Sequence, residues 1–230
     1  MIKIVISGYG KMGKMVEATL AQQGISCLGH TNEVAHYEHP EAKQAVCIDF
    51  STPAAFRANY QAIAGKFKAA VVGTTGWQDI ADEVLDAFKQ AGTTLIWASN
   101  FSVGVNVTTA AVELISSLLG KAGGYAPWIV EKHHTHKLDA PSGTAKTLGA
   151  AVERGMHVPC PISAVRVGEL AGTHTIGFEG TADRITVEHE AFSRQGFASG
   201  AVLAAQMTQQ VPQGSVHEFK ELFLRGLNNQ

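Results

Sequence analysis

The chain has 230 residues, enough for one large or two small domains with a buried core. Apolar residues make up 45% and charged residues 17%, and the formal net charge is −2, which excludes the basic footprint of a nucleic-acid binder. Cys27, Cys47 and Cys160 are scattered and form no C-x-x-C pair; this argues against a disulfide framework or zinc ribbon and for a reducing, cytoplasmic setting.

The first element is an apolar, β-branched run, Ile2 to Ser7, of the kind buried on both faces of a parallel sheet. It is too short for a signal-peptide core, and no run of about 18 apolar residues follows anywhere, so no membrane span is expected. Gly8 to Gly13 is a loop and Met15 to Gln23 a helix. Ile25 to Gly29 and Ala45 to Phe50 read as strands, Pro53 to Gly65 as a helix. Ala69 to Val72 is a strand, Trp77 to Ala91 a helix and Thr93 to Ala98 a fifth strand. Strands alternating with helices over about 100 residues predict a parallel α/β sheet with right-handed crossovers. The pattern then changes. A helix over Val105 to Leu119, a strand over Pro127 to Lys132 and a helix over Ser142 to Met156 precede three β-like runs, Ser163 to Val167, Thr173 to Phe178 and Arg184 to Ala191. This predicts a smaller α+β unit with a mixed or antiparallel sheet. Gly200 to Gln210 and Val216 to Leu227 read as closing helices.

Gly8-Tyr9-Gly10-Lys11-Met12-Gly13 is G-x-G-x-x-G between a strand and a helix. The first glycine allows the tight turn, the second lets a pyrophosphate approach the backbone, and the third lets helix and strand pack closely. The helix start adds N–H groups and a partial positive charge. Dinucleotide binding is therefore expected. Glu33, twenty residues past Gly13, stands where an acidic residue contacts the ribose, though four residues beyond the expected strand end. Lys11 and Lys14 could instead meet a 2′-phosphate, so NADH and NADPH both remain open. Gly73, Thr74 and Thr75 follow the fourth strand, and Ala98, Ser99, Asn100 and Phe101 the fifth. Both groups are expected at the carboxyl edge of the sheet, where ligands bind, with the threonine hydroxyls suited to carboxamide or ribose.

The stretch EKHHTHKLDAPSGTA, Glu131 to Ala145, carries the second chemistry. Adjacent strand residues point to opposite faces, so His133 and His134 do not both face one site if the strand is regular. No Cys, third histidine or carboxylate stands at a zinc-ligand spacing, and no metal is expected. Gly143 and Thr144 open a helix and can present N–H groups to an anion, with Lys137 adding a full charge. A carboxylate held there would have His133 or His134 within reach as a proton donor. Reduction of a small carboxylate-bearing unsaturated substrate by a nicotinamide cofactor is the chemistry these parts combine to give.

The chain resembles the 4-hydroxy-tetrahydrodipicolinate reductase (dihydrodipicolinate reductase) family over nearly its whole length. The resemblance rests on GYGKMG, DFSTP at Asp49 to Pro53, VVGTTGW, NFSVGVNV at Asn100 to Val107, and above all HHTHKLDAPSGTA. It implies a Rossmann-type nucleotide domain over 1–101 and 198–230, and a substrate-binding and oligomerisation domain over 102–197 that assembles a homotetramer. It implies His133 as proton donor, Lys137 as second catalytic residue, and His134, Gly143 and Thr144 as contacts to a dicarboxylate substrate. The cofactor contacts it implies are the glycine loop, Glu33, Gly73 to Thr75 and Ala98 to Phe101. The reaction implied is NAD(P)H-dependent reduction with loss of water, on the diaminopimelate route to lysine. The competing readings are a semialdehyde or homoserine-type dehydrogenase, and a nucleotide sensor without turnover. The first would need a nucleophilic cysteine in its aldehyde-oxidising form, which none of the three cysteines suits. The second would not need His133 or Lys137.

Overall fold

The computed structural model describes residues 2–228. It divides into two compact units, Met1–Ser102 with Phe197–Gln230, and Val103–Gly196. In the first unit, β1 (Lys3–Ser7), α1 (Lys11–Gln22), β2 (Ser26–Thr31), β3 (Val46–Asp49), α2 (Pro53–Lys66), β4 (Ala69–Val72), α3 (Ala81–Ala91) and β5 (Thr94–Trp97) follow one another. In the second unit come α4 (Val103–Ala122), β6 (Ala126–His133), α5 (Gly143–Met156), β7 (Ile162–Arg166), β8 (Gly172–Glu179) and β9 (Arg184–Ala191). The chain then passes through α6 (Gln195–Met207) into β10 (Val216–Glu218) and α7 (Phe219–Asn228).

The first sheet is parallel throughout, in the order β10-β5-β4-β3-β1-β2. Its central strands are buried on both faces, as their unbroken apolar runs require. On one face Phe56, Tyr60, Ile63, Trp77 and Phe88 pack against Val5, Cys47, Ala70, Val72 and Leu95. The alternate residues Ile4, Ile6, Ile48, Val71 and Ile96 are equally buried. Pro53 in the first turn of α2, with Thr52 Oγ1 accepting from Ala55 N at 3.2 Å, fixes where that helix starts.

The structure differs from expectation in particular places. Helix α1 begins at Lys11, four residues early, so Lys11, Met12 and Gly13 form its first turn rather than a loop. Strand β2 runs on to Thr31, which leaves Glu33 two residues past the strand end instead of four. The segment from Val216 opens with a strand, β10, paired with β5, before its helix. Three residues are too few for a period of two to show in sequence.

The second sheet is mixed, in the order β7-β6-β8-β9, with β6 parallel to β7 and the other pairs antiparallel. Helices α4 and α5 cover one face, where Val112, Leu148, Val152, Ile129, Ile176 and Phe178 form the core. Helix α4 is long and apolar enough to cross a membrane by length and composition, with a mean hydropathy of 1.4. Asn106, Thr109, Val112, Ser116 and Leu119 form its buried stripe, while Leu114 and Leu118 are exposed. The other sheet face carries Trp128, Val130, Lys132 and Val165, and among the described residues of this unit no helix lies over it.

Candidate active site

The glycine loop joins β1 to α1 on the carboxyl edge of the first sheet. Gly8 has φ +86°, and a Cβ there would stand 2.5 Å from the Phe50 carbonyl oxygen. A Cβ on Gly13 would stand 2.2 Å from the Gly8 carbonyl oxygen, so only glycine lets the helix start this close to the strand. At Gly10 nothing lies within 4 Å of a Cβ position, and the residue caps α1 without a side chain. The helix start is thus an open row of N–H groups, the geometry that accepts a pyrophosphate. The Tyr9 N–H donates to Asn32 Oδ1 at 3.2 Å and its ring stacks on His30, with centroids 3.5 Å apart. The Gly8 N–H donates to the Thr31 carbonyl at 2.9 Å, which brings the end of β2 beside the loop. Glu33 follows there, exposed and paired with His36 at 3.1 Å.

The other expected cofactor residues also lie on this edge, but their side chains are not all available. Thr74 Oγ1 donates to Asp49 Oδ1 at 2.5 Å and accepts from the Ser51 N–H at 2.8 Å. Ser7 Oγ donates to the same carboxylate at 2.5 Å. The Asp49 carboxyl, fully buried, is pushed up by burial despite these donors. The DFSTP motif therefore ties together the ends of β1, β3 and β4, and the Thr74 hydroxyl is committed inside the protein. Thr75 remains exposed. Gly73 is required because a Cβ there would fall 2.1 Å from the Phe50 ring. Ala98 and Phe101 are buried, Phe101 against Phe219 with centroids 5.0 Å apart, so these two can offer only backbone; Ser99 is exposed and Asn100 partly so.

In the second unit, β6 carries Glu131 and His133 to the helix-covered face, and both are buried. His133 is the last residue of the strand and His134 lies beyond its end. The Glu131 carboxylate is central. Its Oε1 accepts from the Ser142 N–H at 3.0 Å and from Arg166 Nη2 at 2.9 Å. Its Oε2 lies 3.2 Å from His133 Nδ1 and 3.7 Å from His174 Nε2. Ser142 caps α5, accepting from the Ala145 N–H at 3.2 Å, and its Oγ also meets His174 Nε2 at 3.2 Å. Burial opposes ionisation of Glu131, yet Ser142 and Arg166 outweigh it and hold the carboxyl below its ordinary range. Burial lowers His133, against the pull of Glu131, and lowers His174 to about 4.

Glu131, His174 and Arg166 were missed as functional candidates from sequence. The i, i+2 spacing of Glu131 and His133 on one strand was a readable signal. The pairing of Glu131 with His174 across β6 and β8 is a matter of register, which no local pattern reveals. Ligand atoms of Glu131, His133 and His174 lie within 4.8 Å of one another, a spacing a cation could bridge. The Arg166 guanidinium on the same carboxylate opposes a second positive charge there.

Gly143 and Thr144 stand in the first turn of α5, with open space around Gly143. Lys137 Nζ meets Asp139 Oδ1 at 2.8 Å. Lys137 foremost, together with the Gly143 N–H, holds the Asp139 carboxyl below its usual range. The expected anion cradle thus has a carboxylate of its own loop resting on it. Arg166 fastens this loop through the Lys137 and Asp139 carbonyls.

A parallel sheet with an open glycine loop in one unit, and in the other a buried histidine–carboxylate pair next to a helix-start anion site, together define a nicotinamide-dependent oxidoreductase of the Rossmann type. The family models described as "Dihydrodipicolinate reductase, N-terminus" and "Dihydrodipicolinate reductase, C-terminus" match residues 2–101 and 104–223. A 4-hydroxy-tetrahydrodipicolinate reductase of Desulfovibrio desulfuricans is 34% identical, covering 96% of this chain and 98% of its own length. One of Xanthomonas euvesicatoria is 42% identical over 74% of this chain and 69% of its own. The solved structure of dipicolinate-bound dihydrodipicolinate reductase from Paenisporosarcina has a TM-score of 0.76 at 21% identity, covering 95% and 97% of the two chains. The chain belongs to the dihydrodipicolinate reductase family.

Proposed function

We propose that this chain reduces 4-hydroxy-tetrahydrodipicolinate to tetrahydrodipicolinate with loss of water, on the diaminopimelate route to lysine. The observation that carries the reading is the match of both family models, which between them take in the glycine loop and the whole stretch from Glu131 to Ala145. The glycine loop and the α1 start hold the pyrophosphate of NADH or NADPH, with Glu33 placed for a ribose hydroxyl and Lys11 and Lys14 for a 2′-phosphate. The strand-end groups Gly73 to Thr75 and Ala98 to Phe101 face the nicotinamide half, Thr75, Ser99 and Asn100 with side chains and the others with backbone. The cofactor, when bound, supplies a hydride to the ring carbon that bore the hydroxyl. His133 gives the proton to the neighbouring carbon. Lys137 holds the substrate and assists that protonation, while His134, Gly143 and Thr144 bind its carboxylates. The dipicolinate in the Paenisporosarcina structure supports a small dicarboxylate as the ligand class. Asp139, resting on Lys137 and Gly143, supports an anion there, and substrate binding displaces it. The subunits form a homotetramer.

The test follows the nicotinamide absorbance with NADH and with NADPH in the presence of substrate. Wild-type protein turns over, and His133→Gln loses about 10²–10⁴-fold in kcat while still binding the cofactor. Equal turnover by the variant would remove His133 from the role; no turnover by wild type with either cofactor would overturn the reading.

A further inference from the structure

Among the described buried side chains of the second unit, six polar atoms lack a hydrogen-bond partner, and two of them, Glu131 Oε2 and His133 Nδ1, lie 3.2 Å apart without the ring N–H pointing at the carboxylate. Leaving both buried atoms unpaired is unfavourable, and a small turn of the His133 ring brings an Nδ1 proton onto the carboxylate. Glu131 is ionised, because Arg166 and the Ser142 N–H both donate to its other oxygen. A carboxylate can only accept. A proton shared by the pair would therefore sit on His133 Nδ1 and leave Nε2 as the ring's free nitrogen.

The far side of the ring agrees with this. His133 Nε2 lies against Gly172, where a Cβ would stand 2.8 Å from it. Gly172 also has φ +153°, a conformation that side-chain-bearing residues rarely adopt. The absence of a side chain at this position keeps Nε2 uncovered from the β8 side. Three strands and a helix start converge on the arrangement: β6 supplies both members of the pair, β7 the arginine, β8 His174 and Gly172, and α5 the Ser142 N–H.

We propose that Glu131 is a positioning residue for the reaction, fixing His133 in its Nδ1-protonated form so that Nε2 carries the transferred proton. The inference rests on the catalytic role of His133 argued above. Burial foremost opposes the charged form of the His133 ring, Glu131 favours it, and the charges of Lys137, Arg166 and His134 oppose it; His174 packs edge-on with centroids 5.1 Å apart. Removing the Glu131 charge leaves only opposition, so the protonated form becomes scarcer at a given pH.

The full-length protein, labelled with ¹⁵N-histidine, tests this without any assay. Long-range proton–nitrogen correlation, with His133→Gln to assign the signals, is expected to show His133 bearing its proton on Nδ1. An Nε2-protonated ring in wild type would overturn the proposal. In Glu131→Gln the Nδ1 preference is lost. Its kcat falls about 10- to 100-fold, part of the 10²–10⁴ that loss of the acid itself costs. KM for the cofactor stays unchanged, and the alkaline limb of the pH profile moves to lower pH. Glu131→Asp keeps the charge and recovers part of both. If Glu131→Gln folds and keeps the wild-type tautomer and pH limb, Glu131 is merely structural and the proposal fails. If it does not fold, the wild-type spectrum and Glu131→Asp decide in the same way. Full turnover by His133→Gln would sink the catalytic reading instead, and the nitrogen signals would still report on the pair.

Discussion

Two glycines of the loop look alike in sequence and do different work. Gly13 is packed against the backbone of Gly8, whereas Gly10 faces open space. Gly13→Ala forces a Cβ to within 2.2 Å of a carbonyl oxygen, so α1 must move away from β1. We expect it to lose about 1–3 kcal/mol in urea unfolding and to bind cofactor poorly. Gly10→Ala places its methyl where no protein atom stands, at an ordinary φ of −84°. Its stability should remain within about 0.5 kcal/mol of wild type. Its affinity for NADH should nevertheless fall by about tenfold or more, equal to about 1.4 kcal/mol, because the methyl fills the approach of the pyrophosphate. Calorimetry alongside cofactor fluorescence titration separates the two. Undiminished NADH affinity in Gly10→Ala would show that the pyrophosphate does not approach there. The loop was legible because its roles are local, fixed by a strand, a turn and a helix start. Thr74 was not: its hydroxyl was expected at the cofactor, and the structure gives it to Asp49, a partner 25 residues away that no spacing rule names.

At the scale of elements, the stretch from Glu131 to Ala145 was read correctly as a strand followed by a helix start, but the strand reaches His133 and the histidine pair straddles its end. What tied strand to helix was absent from local pattern, since the Glu131 to Ser142 bond and the His174 contact depend on how β6, β8 and α5 come together. That junction has a consequence for acid stability. His174 is held down to about 4, chiefly by burial and then by the nearby His133. In the unfolded chain a histidine takes its proton near 6.5. Between about 6.5 and about 4 the unfolded state binds more protons than the folded state, so stability rises with pH across that window. The contribution is complete above about 6.5 and is lost as pH falls towards about 4; a span of about 2.5 pH units corresponds to about 3 kcal/mol at most. Burial lowers His133 too, which acts in the same direction. Urea midpoints measured from pH 7.5 to pH 4.5 should therefore fall steeply, and His174→Gln, which can still bond Ser142, should flatten the slope. An unchanged slope in that variant would place the acid sensitivity elsewhere.

For the whole molecule, the two kinds of sheet follow from different sequence grammars. Unbroken apolar strands between helices gave away the parallel sheet, and three β-like runs separated by Gly-containing turns the mixed one. The β10 strand escaped, since its pairing with β5 draws on residues about 120 positions apart. The uncovered face of the mixed sheet bears on the proposed tetramer. Trp128, Val130 and Val165 lie on it among Lys132, Thr175 and Glu188, and Gly177 leaves room for the Trp128 ring to lie across the strand. Val165 is 40% exposed. An apolar strip flanked by charges suits a self-complementary interface better than open water. Sedimentation should give four chains of 24.4 kDa, about 98 kDa. Val165→Glu puts a carboxylate into that strip, one per subunit, and should shift the protein to smaller species. The substitution lies on the face opposite Glu131 and His133, so each chain should keep its fold and its NADH affinity. A variant that still sediments at about 98 kDa would show that the subunits meet through another surface, and a wild type that sediments as a single chain would end the tetramer reading itself.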